Sequence, residues 1–241
     1  MEWHGEGLLL ATRKHGETSV IASVFTKDQG RHLGVIRGGA SRKIAPVLQA
    51  GNQLDLTWRA RLEGHLGSFR SEARKSRTAV AMADPLALSG LNAVVGLLDQ
   101  FLPEREPHPN LYDQTQALLD MLDVPDAWPL AYLRWEMALL SALGFGLDLR
   151  RCAVSGEEED LFYISPKTGR AVGRRHAGEW APKLLRLSPA MIDSGAMSMV
   201  EILLGLQVTG VFIAGALCDA MGQKQPTPAR ERLITRFQRL L

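Results

Sequence analysis

The feature that most constrains this chain is a change of hydrophobic repeat about a third of the way along it. Up to residue 78 apolar side chains follow a period of two: Val20, Ala22 and Val24 alternate with Ile21, Ser23 and Phe25, and Leu54 and Leu56 with Asp55 and Thr57. That period sends successive side chains to opposite faces of a strand. Gly7–Arg13, Ser19–Phe25, His32–Ile36, Gln53–Arg59 and His65–Phe69 are therefore expected as five strands. Turn chemistry separates them at Lys14-His15-Gly16, Lys27-Asp28-Gln29-Gly30 and Gly38-Gly39. Five short strands in so little chain suit a small antiparallel barrel, because closure leaves no unpaired edge. Such a barrel is filled by its own side chains, so a ligand has to bind its outer face or its loops.

From residue 84 the repeat becomes 3.6. Asp84 before Pro85 has the form of an N-cap with proline at the first helical position, and Leu86, Leu91, Val94, Val95, Leu98 and Leu102 mark one face. Further helices are expected over Tyr112–Leu122, stopped at Val124-Pro125, and over Trp128–Leu143, with Leu133, Met137, Ala138 and Leu140 inward and Gly144 as its stop. Two more follow, near Met199–Met221 and over Thr227–Leu240. Among these helices, Ser155-Gly156, Ser165-Pro166 and Thr168-Gly169 surround the strand-like Leu161–Ile164, which predicts a β-hairpin insertion at about residues 150–176. The expected organisation is α+β in two domains, a barrel over 1–79 and an all-α domain over 80–241.

Ile202–Met221 is long and apolar enough to cross a bilayer. Gln207, Thr209 and Asp219 interrupt it, no basic cluster or aromatic belt flanks it closely, and Gly205, Gly210, Ala214 and Gly215 suit close helix packing. It is read as a core helix rather than a membrane span. Met1-Glu2-Trp3-His4 lacks the basic-then-apolar order of a signal peptide. Two cysteines, Cys152 and Cys218, exclude a disulfide scaffold and a four-cysteine zinc site, so a cytoplasmic location is expected.

A formal net charge of +2 hides an uneven distribution. Residues 1–78 carry 13 Lys and Arg against seven acids, and the other residues 15 against 19. No phosphate loop of the G-x-x-x-x-G-K-[ST] kind and no G-x-S-x-G elbow is present, and the six histidines are scattered, so no catalytic residues are assigned. Glu157-Glu158-Glu159-Asp160 lacks ordered ligand spacing and reads as a solvated turn, and Cys218 as a small buried hydrophobe.

The basic barrel remains. Arg13, Lys14, Arg31, Arg37, Arg42, Lys43, Arg59, Arg61, Arg70 and Arg74 are its candidate nucleic-acid contacts, because guanidinium and ammonium groups take phosphates and release counterions. Arg59 and Arg61 are expected in phase on one strand, and Arg70, Arg74, Lys75 and Arg77 as a basic tail leaving the barrel. Of the aromatic residues, Phe25 and Phe69 are assigned to the core, while Trp58 can lie on either face. So few stacking platforms argue for backbone-dominated, sequence-tolerant binding. The rival readings are a protein-interaction scaffold whose charges dock an acidic partner, and a metal-dependent nuclease, which needs carboxylates converging on the basic face.

Several stretches in order resemble a known family. They are Trp3-x-Gly5-x-Gly7; Gly16-Glu17; Phe25-Thr26 with Gly30 and Val35-Ile36-Arg37-Gly38-Gly39; and Leu48-Gln49-Ala50-Gly51-Asn52-Gln53-Leu54. Arg134-Trp135-Glu136 with Leu139-Leu140 and Leu143-Gly144-Phe145 follows, then Pro228-Ala229-Arg230-x-Arg232-Leu233. Together they resemble the bacterial DNA repair and recombination protein RecO family across nearly the whole chain. The resemblance implies an OB-fold barrel, a helical second domain and no catalytic site. It also implies binding and annealing of single- and double-stranded DNA and, with RecR, loading of RecA onto DNA coated by single-stranded DNA-binding protein (SSB). Some members carry a four-cysteine zinc site on the inserted hairpin; here Ser155 and Val172 to Arg175 supply no partner for Cys152. A metal-free hairpin is expected, packed around Leu161, Phe162, Tyr163 and Val172. The family also grips the acidic C-terminal tail of SSB, for which Arg134 is the candidate clamp unless it pairs with Glu136 or an acid one turn away.

Overall fold

The structure, a computed structural model, describes residues 1–62, 64–124, 126–193 and 195–241. Pro125, the expected stop of the second helix, lies outside the described residues. Two compact units are present, Met1–Asp123 with Thr227–Leu233, and Val124–Pro226 with Ile234–Leu241.

In the first unit, β1 (Glu2–His15), β2 (Ser19–Thr26), β3 (Gly30–Ile36), β4 (Gln53–Arg59) and β5 (Ser68–Lys75) close in the order β1-β2-β3-β5-β4. The pairs are antiparallel except β3 with β5, which are parallel through Val35 and Ser68. The fully antiparallel expectation is corrected there: this strand order places β5 beside β3, and the two run the same way. Leu9, Val24, Leu54, Leu56, Trp58 and Phe69 fill the interior. Gly34 lies close to the Phe69 ring, and a Cβ there would come within 2.5 Å of it. Trp58, undecided from the sequence, is 4% exposed and donates its indole N–H to the Leu66 carbonyl at 3.1 Å.

The fifth strand is the main error of pattern reading. It begins at Ser68 rather than His65 and runs to Lys75, because its second half is held by backbone pairing to β4 while its side chains are solvated. Arg70, Arg74 and Lys75 are thus strand residues and not a tail. Arg77 opens α1 (Arg77–Ala81) and is buried, with Nε 2.8 Å from Asp120 and Nη2 2.6 Å from Gln116. Burial raises the Asp120 pKa, but Lys75 and Arg77 outweigh it and hold the carboxyl below its usual range.

Leu8, Leu9 and Leu10 are all buried, and an unbroken apolar run on a strand means both faces are covered. Leu9 points into the barrel. Outside, α2 (Pro85–Phe101) packs on β1, and Tyr112 of α3 (Pro109–Asp120) meets Phe25 edge to face at 5.3 Å. The N-cap reading of Asp84 holds: its carboxylate accepts the Leu86 N–H at 2.8 Å. The change of repeat near residue 79 therefore marks where strand gives way to helix, while the compact unit continues to Asp123.

In the second unit, α4 (Trp128–Ala142) packs against α5 (Met199–Phe212), with Gly205 against Leu133. Met137 and Ala138, expected inward, are only half-buried; Tyr132, Trp135 and Leu139 take the buried positions. Ser198 and Glu201 form a capping box at the start of α5. The helix continues through a π turn at Ile213–Leu217 to α6 (Cys218–Ala220). Met199–Ala220 has the length and hydropathy of a membrane span, and half of its most apolar stretch is buried inside the protein. Phe237 of the last helix, α7 (Pro228–Gln238), packs against Trp128 with ring centroids 5.2 Å apart and planes tilted by 42°.

The inserted element is three-stranded, β6 (Leu161–Ile164) between β7 (Ala171–Gly173) and β8 (Leu185–Arg186), so it runs ten residues past the expected end at 176. Two residues of β8 were too short a signal to find. Leu161, Tyr163 and Val172 pack with Cys152 and Ala177, whereas Phe162 is outside that cluster.

His32 is the one ionisable group inside the aromatic barrel core among the described residues. It is 4% exposed, with Trp3, Trp58 and Phe69 around its ring at centroid distances of 5.3, 4.7 and 6.1 Å. Burial pushes its pKa down to about 4, the Arg105 cation adds to the shift, and the Gln29 carbonyl opposes it in part. Below about pH 6.5 the unfolded chain binds the proton that the folded chain refuses. Stability should then be full above pH 6.5 and fall by about 3 kcal/mol as pH drops to 4. Denaturant melts across that range should show the slope, and His32→Phe should flatten it; parallel curves would contradict the assignment.

Candidate nucleic-acid interface

Because the barrel is full, charged side chains can project only outward, and the strand register sorts them. Across β1, β4 and β5, Glu6, Asp55 and Glu72 stand in one row. Arg74 is engaged there, 2.8 Å from Glu6 and 3.3 Å from Asp55. Arg70 is exposed one row away, opposite Thr57. Arg31 is taken up differently: it is 17% exposed, donates from Nε to the Leu102 carbonyl at 2.7 Å, and has Glu104 at 3.7 Å and Asp99 at 3.9 Å. That is a clasp between β3 and the chain after α2, not an open cation.

The remaining candidates converge better. The β1–β2 turn, the end of β3, the end of β4 and the start of β5 enclose a cleft of about 470 Å³ lined by His15, Ser19, Arg37, Arg59, Arg61, His65 and Ser68, with Val35 and Ala60. Arg61 lies beyond the end of β4, so it is not in phase with Arg59 on a strand as expected, yet both line this cleft. Arg59 is 2.8 Å from Glu2, which raises the Arg59 pKa and lowers that of Glu2 by a shared hydrogen bond. Arg37 and Arg61 are exposed and carry no ion pair among the described residues. Arg13 and Lys14 precede the cleft on the β1–β2 hairpin. Arg42 and Lys43 follow it on the segment that Ala40 ties to Thr18 through a 3.0 Å backbone hydrogen bond. Neither pair forms an ion pair among the described residues.

Sequence reading missed Arg105. Its backbone has φ 62°, unusual for a side chain with a Cβ, and is held by an N–H to the Arg31 carbonyl at 2.8 Å. Its guanidinium donates to the His65 carbonyl at 2.8 Å and lies 5.9 Å from the Trp58 ring centroid, adding a cation beside the cleft. Arg105 sits in a loop among helical residues, and only its left-handed backbone marks it out.

Arg134 is exposed on α4, with Nη2 donating to the Asp193 carbonyl at 2.6 Å. Glu136 points to the buried side and accepts from Thr209. Of the alternatives for Arg134, the pair with Glu136 is thereby excluded.

The inserted sheet holds one cysteine, Cys152. Burial raises the Cys152 pKa, but hydrogen bonds from the Gly173 amide at 3.2 Å, from the Ser155 amide and hydroxyl, and from the Val154 amide at 3.4 Å prevail and bring it down to about 6. Among the described residues no group of three His, Cys, Asp or Glu that could hold a metal is present. Metal analysis of the purified protein should find no stoichiometric zinc, and a chelator should leave Tm unchanged. One zinc per chain would contradict this.

Two family models match successive stretches of the chain. The family model described as Recombination protein O N terminal matches residues 1–77, and that described as Recombination protein O C terminal matches residues 82–214. The chain is 53% identical over 239 residues to the DNA repair protein RecO of Ruegeria sp. (strain TM1040), covering 99% of both. It is 54% identical over 241 residues to that of Roseobacter denitrificans, covering all of both, and 55% identical over 234 residues to one from Cereibacter sphaeroides (strain KD131), covering 97% of each.

Proposed function

The chain belongs to the RecO family and has a DNA repair role, and from that premise we propose that it is a non-enzymatic mediator that binds single- and double-stranded DNA through the barrel cleft. The observation that carries this reading is the meeting of Arg37, Arg59 and Arg61 around one opening, with two of the three guanidinium groups free of acids among the described residues. Like charges held together repel, and a polyanion that fits between them relieves the repulsion while releasing its counterions. The barrel's strand order, 1-2-3-5-4, supports an OB-fold, whose outer face and loops bind oligonucleotides. Trp58 and Phe69 are consumed by the core, so phosphate contacts dominate and sequence preference is weak.

On this reading the protein anneals complementary strands and, with RecR, assists RecA loading onto SSB-coated DNA in the cytoplasm, at the nucleoid. For the acidic SSB tail, Arg134 offers the guanidinium N–H groups that Asp193 leaves free.

Fluorescence anisotropy with labelled oligothymidylate tests the cleft. With three or four phosphates contacted, log affinity should fall with log salt at a slope of about −2 to −3. Arg37→Ala with Arg61→Ala should weaken binding of every sequence alike, by about tenfold at low salt. Arg74→Ala, whose charge is already paired, should do little. Unchanged affinity in the first variant would exclude the cleft, and equal binding of an acidic peptide would favour the scaffold reading.

A further inference from the structure

Four of the six histidines have an evident structural place. His32 is buried in the aromatic core of the barrel. His4 is 2.9 Å from the Thr57 hydroxyl and 3.2 Å from Glu2, His108 is 3.7 Å from Glu106, and His176 is 3.1 Å from Glu157. His15 and His65 are different. Both are exposed, and neither side chain has a hydrogen bond or ion pair among the described residues. Yet the fold brings them together: His15 ends β1, His65 lies between β4 and β5, and both line the cleft that holds Arg37, Arg59 and Arg61.

The charged groups presented to the two imidazoles are of one sign. Arg37 after β3, Arg59 at the end of β4 and Arg61 beyond it line the same cleft, and among the described residues no acid does. From the loop after α2, the Arg105 guanidinium donates to the His65 carbonyl at 2.8 Å. Lys14 and Glu17 flank His15 along the chain but are not part of the lining, and Glu2 meets Arg59 from outside it. An imidazole so placed can gain an anionic partner only from outside the protein. A phosphodiester seated among the arginines supplies one: its oxygen accepts from an imidazolium N–H and favours the charged ring. Guanidinium keeps its charge at every pH of interest, whereas imidazole exchanges its proton near neutrality, so these two side chains make the charge of the cleft variable.

We propose that His15 and His65 are further phosphate contacts of the cleft, and that strand binding there takes up protons, so that the grip on nucleic acid tightens as pH falls. The proposal rests on the DNA-binding reading of the cleft and adds to it two residues and the sign of a pH dependence. The bound state carries more protons than the free protein. The histidine share of the affinity is therefore present below about pH 6.5, the ordinary value for imidazole, and is lost as pH rises through the neutral range.

Anisotropy titrations of the full chain with labelled oligothymidylate, at pH 6 and pH 8 and fixed ionic strength, provide the test. Affinity should be about tenfold higher at pH 6, and the salt slope steeper there by about 1.4, from two further contacts at about 0.7 each on a single strand. His15→Gln with His65→Gln should keep affinity at pH 8 within about twofold of the parent and remove the difference between the two pH values. His15→Arg with His65→Arg should bind at pH 8 as tightly as the parent does at pH 6, because its charge no longer depends on pH. Equal parent affinity at both pH values, or a difference that persists unchanged in the glutamine variant, would overturn the proposal. Arg37→Ala with Arg61→Ala, measured at pH 8 where imidazole is neutral, reports on the cleft alone. Weakened binding there without a pH effect in the parent keeps the cleft and refutes the histidines, whereas unchanged binding removes both.

Discussion

Closure of five strands around a filled interior is the constraint from which the rest of the first unit follows. With Leu9, Trp58 and Phe69 inside, period-two geometry leaves only outward positions for charge, and register then decides which charges become neighbours. The same closure places a histidine among aromatic rings, where the charged form is disfavoured. It also turns Leu8, Leu10 and Phe25 away from the barrel interior, and α2 and α3 pack there and bury them, because apolar surface of that size is costly to leave in water.

Register divides the cations by role. Arg31, Arg74, Lys75 and Arg77 meet acids or carbonyls of the same unit and are structural. Arg37 and Arg61 meet none among the described residues, and Arg59 shares a cleft with them while paired to Glu2. Exposed pairs such as Arg59–Glu2 contribute little stability and are screened by salt, so a phosphate can displace the acid at small cost. A count of 13 basic residues therefore overstates the charge open to a ligand, since these four are taken up within the unit.

Much of this was legible in the sequence, for physical reasons that vary by element. β2 and β4 are bounded within a residue because their alternation reports one buried face and turn residues bracket them. The start of α2 is clear because Asp84-Pro85 is both cap and first turn. The strand β5 was misplaced because Glu72, Arg74 and Lys75 carry no apolar alternation; their pairing is a backbone property that depends on a partner far away in sequence. Arg31 was misread as a free cation because Asp99 and Glu104, which engage it, lie about seventy residues on. Arg105 gives no local pattern at all, since a left-handed backbone is a consequence of the folded neighbourhood.

The central claim is that the unpaired cations of the barrel act at one place. Amide chemical-shift mapping of the full chain during titration with a short oligothymidylate tests it most directly. The account predicts shifts clustered at His15, Ser19, Arg37, Arg61 and Ser68, with the acidic row at Glu6, Asp55 and Glu72 unmoved. Shifts absent from the first group, or concentrated along the second, would contradict it.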